Sequence, residues 1–250
     1  MSKTFRRGIH PPENKATSAR PVEVVMPKEG EELIYPLVQH IGAPCNPIIK
    51  AGERVLVGQK IADCDAPVSS PIHASVSGTI KEVRPALTPS GQIVSSIIVV
   101  NDAKMEEIPM EGEEIVNYSK EQYLKIIREA GVVGLGGAGF PTHIKLNPPP
   151  SKKIEFLIVN ASECEPYLTT DHRVLVEEAG KIRRGFSDML KMFPTAKGII
   201  AIETNKPDAI ETMRSVCAGD ANIEIVPLKP KYPQGSEKQL IFACTGREVP

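Results

Sequence analysis

Along the first 45 residues, prolines and charged positions break up any hydrophobic repeat, and His10-Pro11-Pro12 and Gln39-His40-Ile41-Gly42 read as turns. Residues 1–45 are therefore expected to form an extended arm packed on the domain that follows. From 46 to 101 short β-branched runs are separated by turn signals at Ala51-Gly52-Glu53, Val57-Gly58-Gln59, Ser77-Gly78-Thr79 and Pro89-Ser90-Gly91. Ala74, Val76, Gly78 and Ile80 alternate as one face of a strand, so this stretch reads as a small all-β module. Residues 102–118 are acidic and read as a linker.

At 119 the pattern changes to alternating helices and strands. Ser119 and Gln122 have the spacing of a capping box, Tyr123, Ile126, Ile127 and Ala130 share a helical face, and Gly131 is placed to end that helix. Strands are predicted over 155–160, 197–203 and 223–228. Helices are predicted over 171–193, softened at Gly180 and Gly185, over 206–217 with Pro207 in the first turn, and over 236–245. Such alternation predicts an α/β domain over 119–250 with an open, at least partly parallel sheet. Ligands of such sheets collect beyond the carboxyl ends of the strands.

Composition narrows the function classes. Lys plus Arg number 30 and Asp plus Glu 31, a balance that offers nucleic acid no basic surface. No tryptophan is present to stack bases. The longest apolar runs, such as Ile97 to Val100, fall far short of the roughly 20 residues of a membrane helix, and the polar N-terminus lacks a signal-peptide core. The five cysteines are widely spaced without a C-x-x-C, so no zinc or iron–sulfur site is written here.

Three stretches carry candidate chemistry. Gly134-Leu135-Gly136-Gly137-Ala138-Gly139-Phe140-Pro141-Thr142 satisfies G-x-G-x-x-G, but a helix precedes it and Phe140-Pro141 follows, so the Rossmann context fails. The glycines still let main chain approach a flat ring or a phosphate, and Lys145 lies just beyond. The second stretch, Asn160-Ala161-Ser162-Glu163-Cys164-Glu165-Pro166, sits where a predicted strand ends. Its amide, hydroxyl and carboxylates could meet ribityl or ribose hydroxyls, or could equally form a polar loop capping the next helix. The third, Tyr232-Pro233-Gln234-Gly235-Ser236-Glu237, lies between the last strand and the closing helix, where a phosphate or a flavin edge could sit.

Together, and in this order, the three stretches resemble the NADH-oxidising flavin subunit of respiratory complex I over residues 119–250. The module at 46–101 resembles the barrel-sandwich fold of lipoyl and biotinyl carriers. Its hairpin tip falls near Ala66-Pro67-Val68 and holds no lysine to modify, so it reads as a rigid docking or structural module. With Phe5-Arg6-Arg7-Gly8-Ile9-His10-Pro11, Gln39-His40-Ile41-Gly42-Ala43-Pro44 and Lys50-Ala51-Gly52-Glu53-Arg54-Val55-Leu56-Val57-Gly58-Gln59, nearly the whole chain resembles the RnfC family.

That resemblance implies an FMN- and NADH-binding module of a membrane electron-transport complex that exchanges electrons between NAD(H) and ferredoxin, coupled to ion translocation. It implies non-covalent FMN, with Gly134, Gly136 and Gly137 lining it and Lys145 at its polar end. Asn160, Ser162 and Glu163 would hold the ribityl and phosphate region, and Tyr232 and Gly235 would close over it. Phe140, Glu165 and Glu237 would contact NADH. No side chain is implied as a catalytic acid or base, and no metal ligand within these residues. Leu135, Ser162 and Ser236 depart from the complex I pattern, which has arginine, aspartate and glutamate there.

The implied partners are the other Rnf subunits, with this chain peripheral on the cytoplasmic face of a bacterial membrane. The family continues into a β-grasp domain and a segment with two 4Fe–4S clusters, and the sequence ends at Gly246-Arg247-Glu248-Val249-Pro250 before either. Two other readings stay open: a soluble flavin and iron–sulfur cobalamin reductase, and a scaffold that keeps the fold without its cofactor.

Overall fold

A computed structural model describes residues 2–109, 118–135 and 137–249. They form two compact units, one of Val25–Lys152 and one of Met1–Val24 with Lys153–Pro250. Residues 110–117 of the acidic stretch expected as a linker lie outside the described residues.

In the unit Val25–Lys152 the strands are β1 (Glu32–Pro36), β2 (Asn46–Pro47), β3 (Arg54–Val55), β4 (Lys60–Asp63), β5 (Ile72–His73), β6 (Gly78–Leu87) and β7 (Ile93–Asn101). They make an antiparallel four-stranded sheet ordered β1-β7-β6-β3 and a three-stranded sheet ordered β2-β4-β5. Tyr35, Val55, Ile61, Ile80, Ile97 and Val99 share one buried core. This is the small all-β module expected from the sequence.

Two local expectations are corrected. The segment 1–45 is not all arm, because β1 lies within it. Tyr35 is buried and its hydroxyl meets Ser75 Oγ at 2.8 Å, while the neighbouring Ile34 faces outward. Ser77-Gly78-Thr79 is not a turn: Gly78 opens β6, opposite Asn101 of β7. A Cβ there would lie 2.1 Å from the Val100 carbonyl oxygen, so glycine serves close strand approach at this position.

Helix α1 (Lys120–Glu129) starts as predicted. Ser119 N donates to Gln122 Oε1 (2.7 Å) and Gln122 N to Ser119 Oγ (3.3 Å), so each residue satisfies an orphan donor of the other. Gly131, at φ +68°, follows its end. A short helix α2 (Thr142–Lys145) comes after the glycine loop.

The second unit contains β8 (Phe156–Ala161), α3 (Thr170–Glu177), α4 (Ala179–Lys191), β9 (Lys197–Glu203), α5 (Pro207–Val216), β10 (Ile223–Leu228) and α6 (Glu237–Thr245). The strands form a parallel sheet ordered β10-β9-β8. Central β9 is buried on both faces, which explains its unbroken apolar run. Ile200 and Ile202 pack with Leu175, Phe186 and Met213 of α3, α4 and α5, and Ile199 and Ala201 pack with Leu240 and Ala243 of α6. Each such isoleucine contributes about 1.5–3 kcal/mol by burial.

The helix predicted over 171–193 divides at Glu178 (φ −121°, ψ 22°), ahead of Gly180, and passes Gly185 unbroken. Glu178 N donates to Val174 O, and Lys181 N and Ile182 N donate to Glu178 O, so one residue ends α3 and starts α4. The first 24 residues belong to this α/β unit rather than to the β module that follows them. Lys3 N donates to Pro227 O and Lys229 N to Lys3 O, which adds the arm beside β10.

Candidate functional site

The three strands are parallel, so their carboxyl ends share one edge of the sheet. The loop after β8 meets the turn after β10 there. Asn160 Nδ2 donates to Gly235 O (2.7 Å) and Gly235 N donates to Cys164 Sγ (3.4 Å). A Cβ built on Gly235 would lie 3.5 Å from Asn160 Oδ1, Cys164 Sγ and Ser162 Cβ. Ser162 is fully buried and its hydroxyl has no hydrogen-bond partner among the described residues. A buried hydroxyl left unpaired costs stability, and ligand sites are one place where that cost is kept.

Glu163 sits at φ +50° in the same loop. Its Oε1 accepts from Asp171 N (2.6 Å) and His172 N (3.2 Å), so its carboxylate serves the first turn of α3. Its Oε2 lies 3.5 Å from Lys15 Nζ of the arm. The carboxylate expected to hold the cofactor thus also caps the helix that follows the loop. Glu165 is exposed, with Oε2 3.6 Å from Cys164 Sγ. Burial pushes the Cys164 thiol above its ordinary pKa.

Behind this loop lies a buried pair. Lys206 Nζ donates to Ser162 O (2.7 Å) and Asn205 Oδ1 (3.0 Å) and pairs with Glu203 Oε2 (3.3 Å). Both residues are 1% exposed. Burial holds the Glu203 carboxyl above its usual range and the Lys206 ammonium below its own. His172 Nε2 meets Asp208 Oδ1 at 2.7 Å, which ties α3 to α5.

Tyr232 lies beyond β10, half-exposed, and exchanges both main-chain hydrogen bonds with Ile9 of the arm at 2.9 Å. Glu237 is exposed in the first turn of α6.

The glycine loop belongs to the other unit. Val133 bridges Pro141, Gly134 N donates to Phe140 O (3.0 Å) and Thr142 N donates to Val132 O (3.0 Å), which closes the loop at its base. Ile41 N donates to Ala138 O (3.2 Å). Gly139, at φ +65°, packs so closely that a Cβ would lie 3.0 Å from Gln39 O. A Cβ on Gly137 would meet nothing within 4 Å. Phe140 is 39% exposed and Lys145 is exposed. Gly136 lies outside the described residues. Of the three expected stretches, two are therefore in mutual contact within one unit, and the third stands in the other.

Residues 127–250 match the family model described as the Nuo51 FMN-binding domain, and residues 3–104 match the RnfC barrel sandwich hybrid domain. The chain is 42% identical over 249 residues, 99% of its length, to the C subunit of the Na(+)-translocating ferredoxin:NAD(+) oxidoreductase complex of Acetobacterium woodii, and covers 56% of it. The chain belongs to the RnfC family. A second RnfC relative, the proton-translocating counterpart of Clostridium ljungdahlii, is 42% identical over 255 residues and covered to 55%. The same subunit of the ion-translocating oxidoreductase complex of Haemophilus influenzae is 39% identical over 251 residues and covered to 38%. The chain thus spans about half the length of the two RnfC relatives first named, and less of the third.

All three motif stretches fall inside residues 127–250, the part matched by the Nuo51 FMN-binding domain model. Sequence reasoning missed two residues on this edge. Lys206 read only as the start of a helix before Pro207, with no signal for its burial. Lys15 lay in a proline-rich arm without periodicity, and nothing local connects it to a loop about 150 residues away.

Proposed function

We propose that this chain is the FMN- and NADH-handling module of an RnfC subunit, in a membrane complex that exchanges electrons between NAD(H) and ferredoxin coupled to ion translocation. One observation carries the reading. Asn160, Gly235 and Cys164 lock the two strand-end stretches together around a buried Ser162 hydroxyl that no group among the described residues satisfies.

The residues suit a flavin nucleotide in their chemistry. Its ribityl chain offers hydroxyls to the Asn160 amide and the Ser162 hydroxyl. The open main chain at Gly134 and Gly137 can lie against a flat ring. Lys145 is an exposed ammonium for phosphate. Tyr232 and Gly235 close the strand-end side, and Phe140, Glu165 and Glu237 are exposed for the dinucleotide.

When bound, FMN supplies hydride exchange with NADH and single-electron exchange with iron–sulfur centres. The protein's own part is to bind, to orient and to exclude water. Glu163 is a positioning residue, since its carboxylate fixes α3 against the loop.

The relatives' names support the assignment to an assembly of several subunits. No helix among the described residues is long and apolar enough to cross a membrane; in this reading the chain sits peripherally on other Rnf subunits at the cytoplasmic face. Among the described residues no group of three or more His, Cys, Asp and Glu could hold a metal ion.

The test is anaerobic. The chain is mixed with FMN, freed of excess, and titrated with NADH while the visible flavin band is followed. Retention of FMN and bleaching by NADH are expected. A folded chain that releases all flavin would overturn the reading.

A further inference from the structure

The loop between β8 and α3 is held by ammonium groups that come from outside it. Lys15 Nζ donates to the main-chain oxygens of Glu163 (2.8 Å), Glu165 (3.0 Å) and Leu168 (2.5 Å). Lys206 Nζ takes the oxygen of Ser162. Carbonyls brought so close to one another repel unless a cation lies between them, and hydrogen bonds to a charged donor are roughly twice as strong as neutral ones. The same loop carries two residues in the left-handed region, Glu163 (φ +50°) and Tyr167 (φ +68°), a shape that its own sequence does not favour.

Lys15 is itself fixed. Its carbonyl accepts from Ser18 N (3.0 Å) and Ser18 Oγ (2.7 Å), Tyr167 N donates to Glu13 O (2.9 Å), and Arg173 Nη1 donates to Ser18 O (3.1 Å). Its side chain is 10% exposed, and all three of its donor hydrogens have a main-chain acceptor in this one loop.

We propose that Lys15 is the positioning residue of the strand-end loop. The N-terminal arm carries in the cation that gathers three of the loop's carbonyls, beside Lys206 on the fourth, and the loop keeps the shape that meets the cofactor only while the Lys15 ammonium is there. The arm is then part of the cofactor site and not a tether between modules. The consequence for FMN rests on the flavin reading above; the effect on the loop does not.

The test uses the full chain with three substitutions: Lys15→Met, Lys15→Arg and Lys231→Met. Lys231 Nζ donates to Phe5 O and Arg7 O, so its loss loosens the arm elsewhere and controls for arm docking alone. Amide exchange is read at Tyr167, Asp171 and His172, whose protons are held by Glu13 O and Glu163 Oε1. Lys15→Met should speed exchange at these three by about tenfold without unfolding the unit, and should weaken FMN binding by roughly tenfold. Lys15→Arg should restore most of both, and Lys231→Met should leave the three amides within about twofold of the parent.

Unchanged exchange in Lys15→Met overturns the proposal whatever FMN does. Faster exchange with unchanged FMN affinity overturns the arm's part in the cofactor site. Faster exchange in Lys15→Met, together with a parent chain that binds no FMN, keeps the loop clamp and removes the flavin reading instead.

Discussion

The two candidate loops are built in opposite ways. The loop after β8 is held from every side: four of its carbonyls lie on Lys15 and Lys206, Glu163 is spent on α3, and Asn160 is tied to Gly235. The glycine loop is fixed at its base by Val133 and Pro141 and along one side by Ile41 and Gly139, while Gly137 stands open. A loop with large polar side chains needs outside charges to adopt one shape. A glycine loop needs only its ends held, because its value lies in bare main chain. Preorganised polar groups suit a polar tail, and bare main chain suits a flat apolar ring.

The largest expected effect is on the held loop. Lys206→Met should destabilise the α/β unit by about 3–5 kcal/mol, since it leaves the Glu203 carboxylate buried without its partner. Urea unfolding would show this, and a loss below about 1 kcal/mol would mean that the pair does not organise the edge. Next come the glycines. Gly139→Ala should cost about 1–3 kcal/mol through its positive φ and the nearby Gln39 carbonyl. Gly137→Val should change stability by less than about 0.5 kcal/mol yet weaken FMN binding at least about tenfold. Equal effects of the two on stability would erase the distinction between anchored and open positions.

Ser162→Ala sharpens the comparison further. Removing an unpaired buried hydroxyl should leave the free protein as stable or more stable, by up to about 1 kcal/mol, while FMN affinity falls. A destabilised variant would show that the hydroxyl already has a partner.

The smallest effect is in the β module, at Asp102. The Ser77 hydroxyl (2.6 Å), the Lys104 amide (3.0 Å) and Arg54 (3.0 Å) hold the Asp102 carboxyl down to about 2 from the usual 3.8. A pKa lowered on folding adds stability above the unfolded value, and that stability is lost as pH falls through the folded value. Chemical-denaturant midpoints should therefore drop between about pH 4 and pH 2, and less steeply in Asp102→Asn.

The fold was readable wherever a short-range pattern fixes it. Lys197 to Glu203 and Ile223 to Leu228 were predicted to the residue, the first because a buried central parallel strand carries a continuous apolar run. The capping box of α1 was equally local. What could not be read depends on distant partners. Gly78 has the neighbours of a turn residue, and only the approach of Val100 shows why it is glycine. The arm has no periodicity because its contacts are made by main chain and two lysines to the strand-end loops. At the candidate site, Asn160, Ser162 and Gly235, which the family resemblance singled out, do meet. The resemblance gives Glu163 a ligand's role; that its carboxylate also accepts from the first turn of α3 could not be read, because it depends on where α3 begins.

The most direct measurement is a fluorescence titration of FMN into the 250-residue chain and its Ser162→Ala variant, with unfolding followed in parallel. The account predicts one FMN per chain, quenched on binding, with weaker binding in a variant that is no less stable. Equal FMN affinity in both proteins, or none in a folded parent chain, would contradict it.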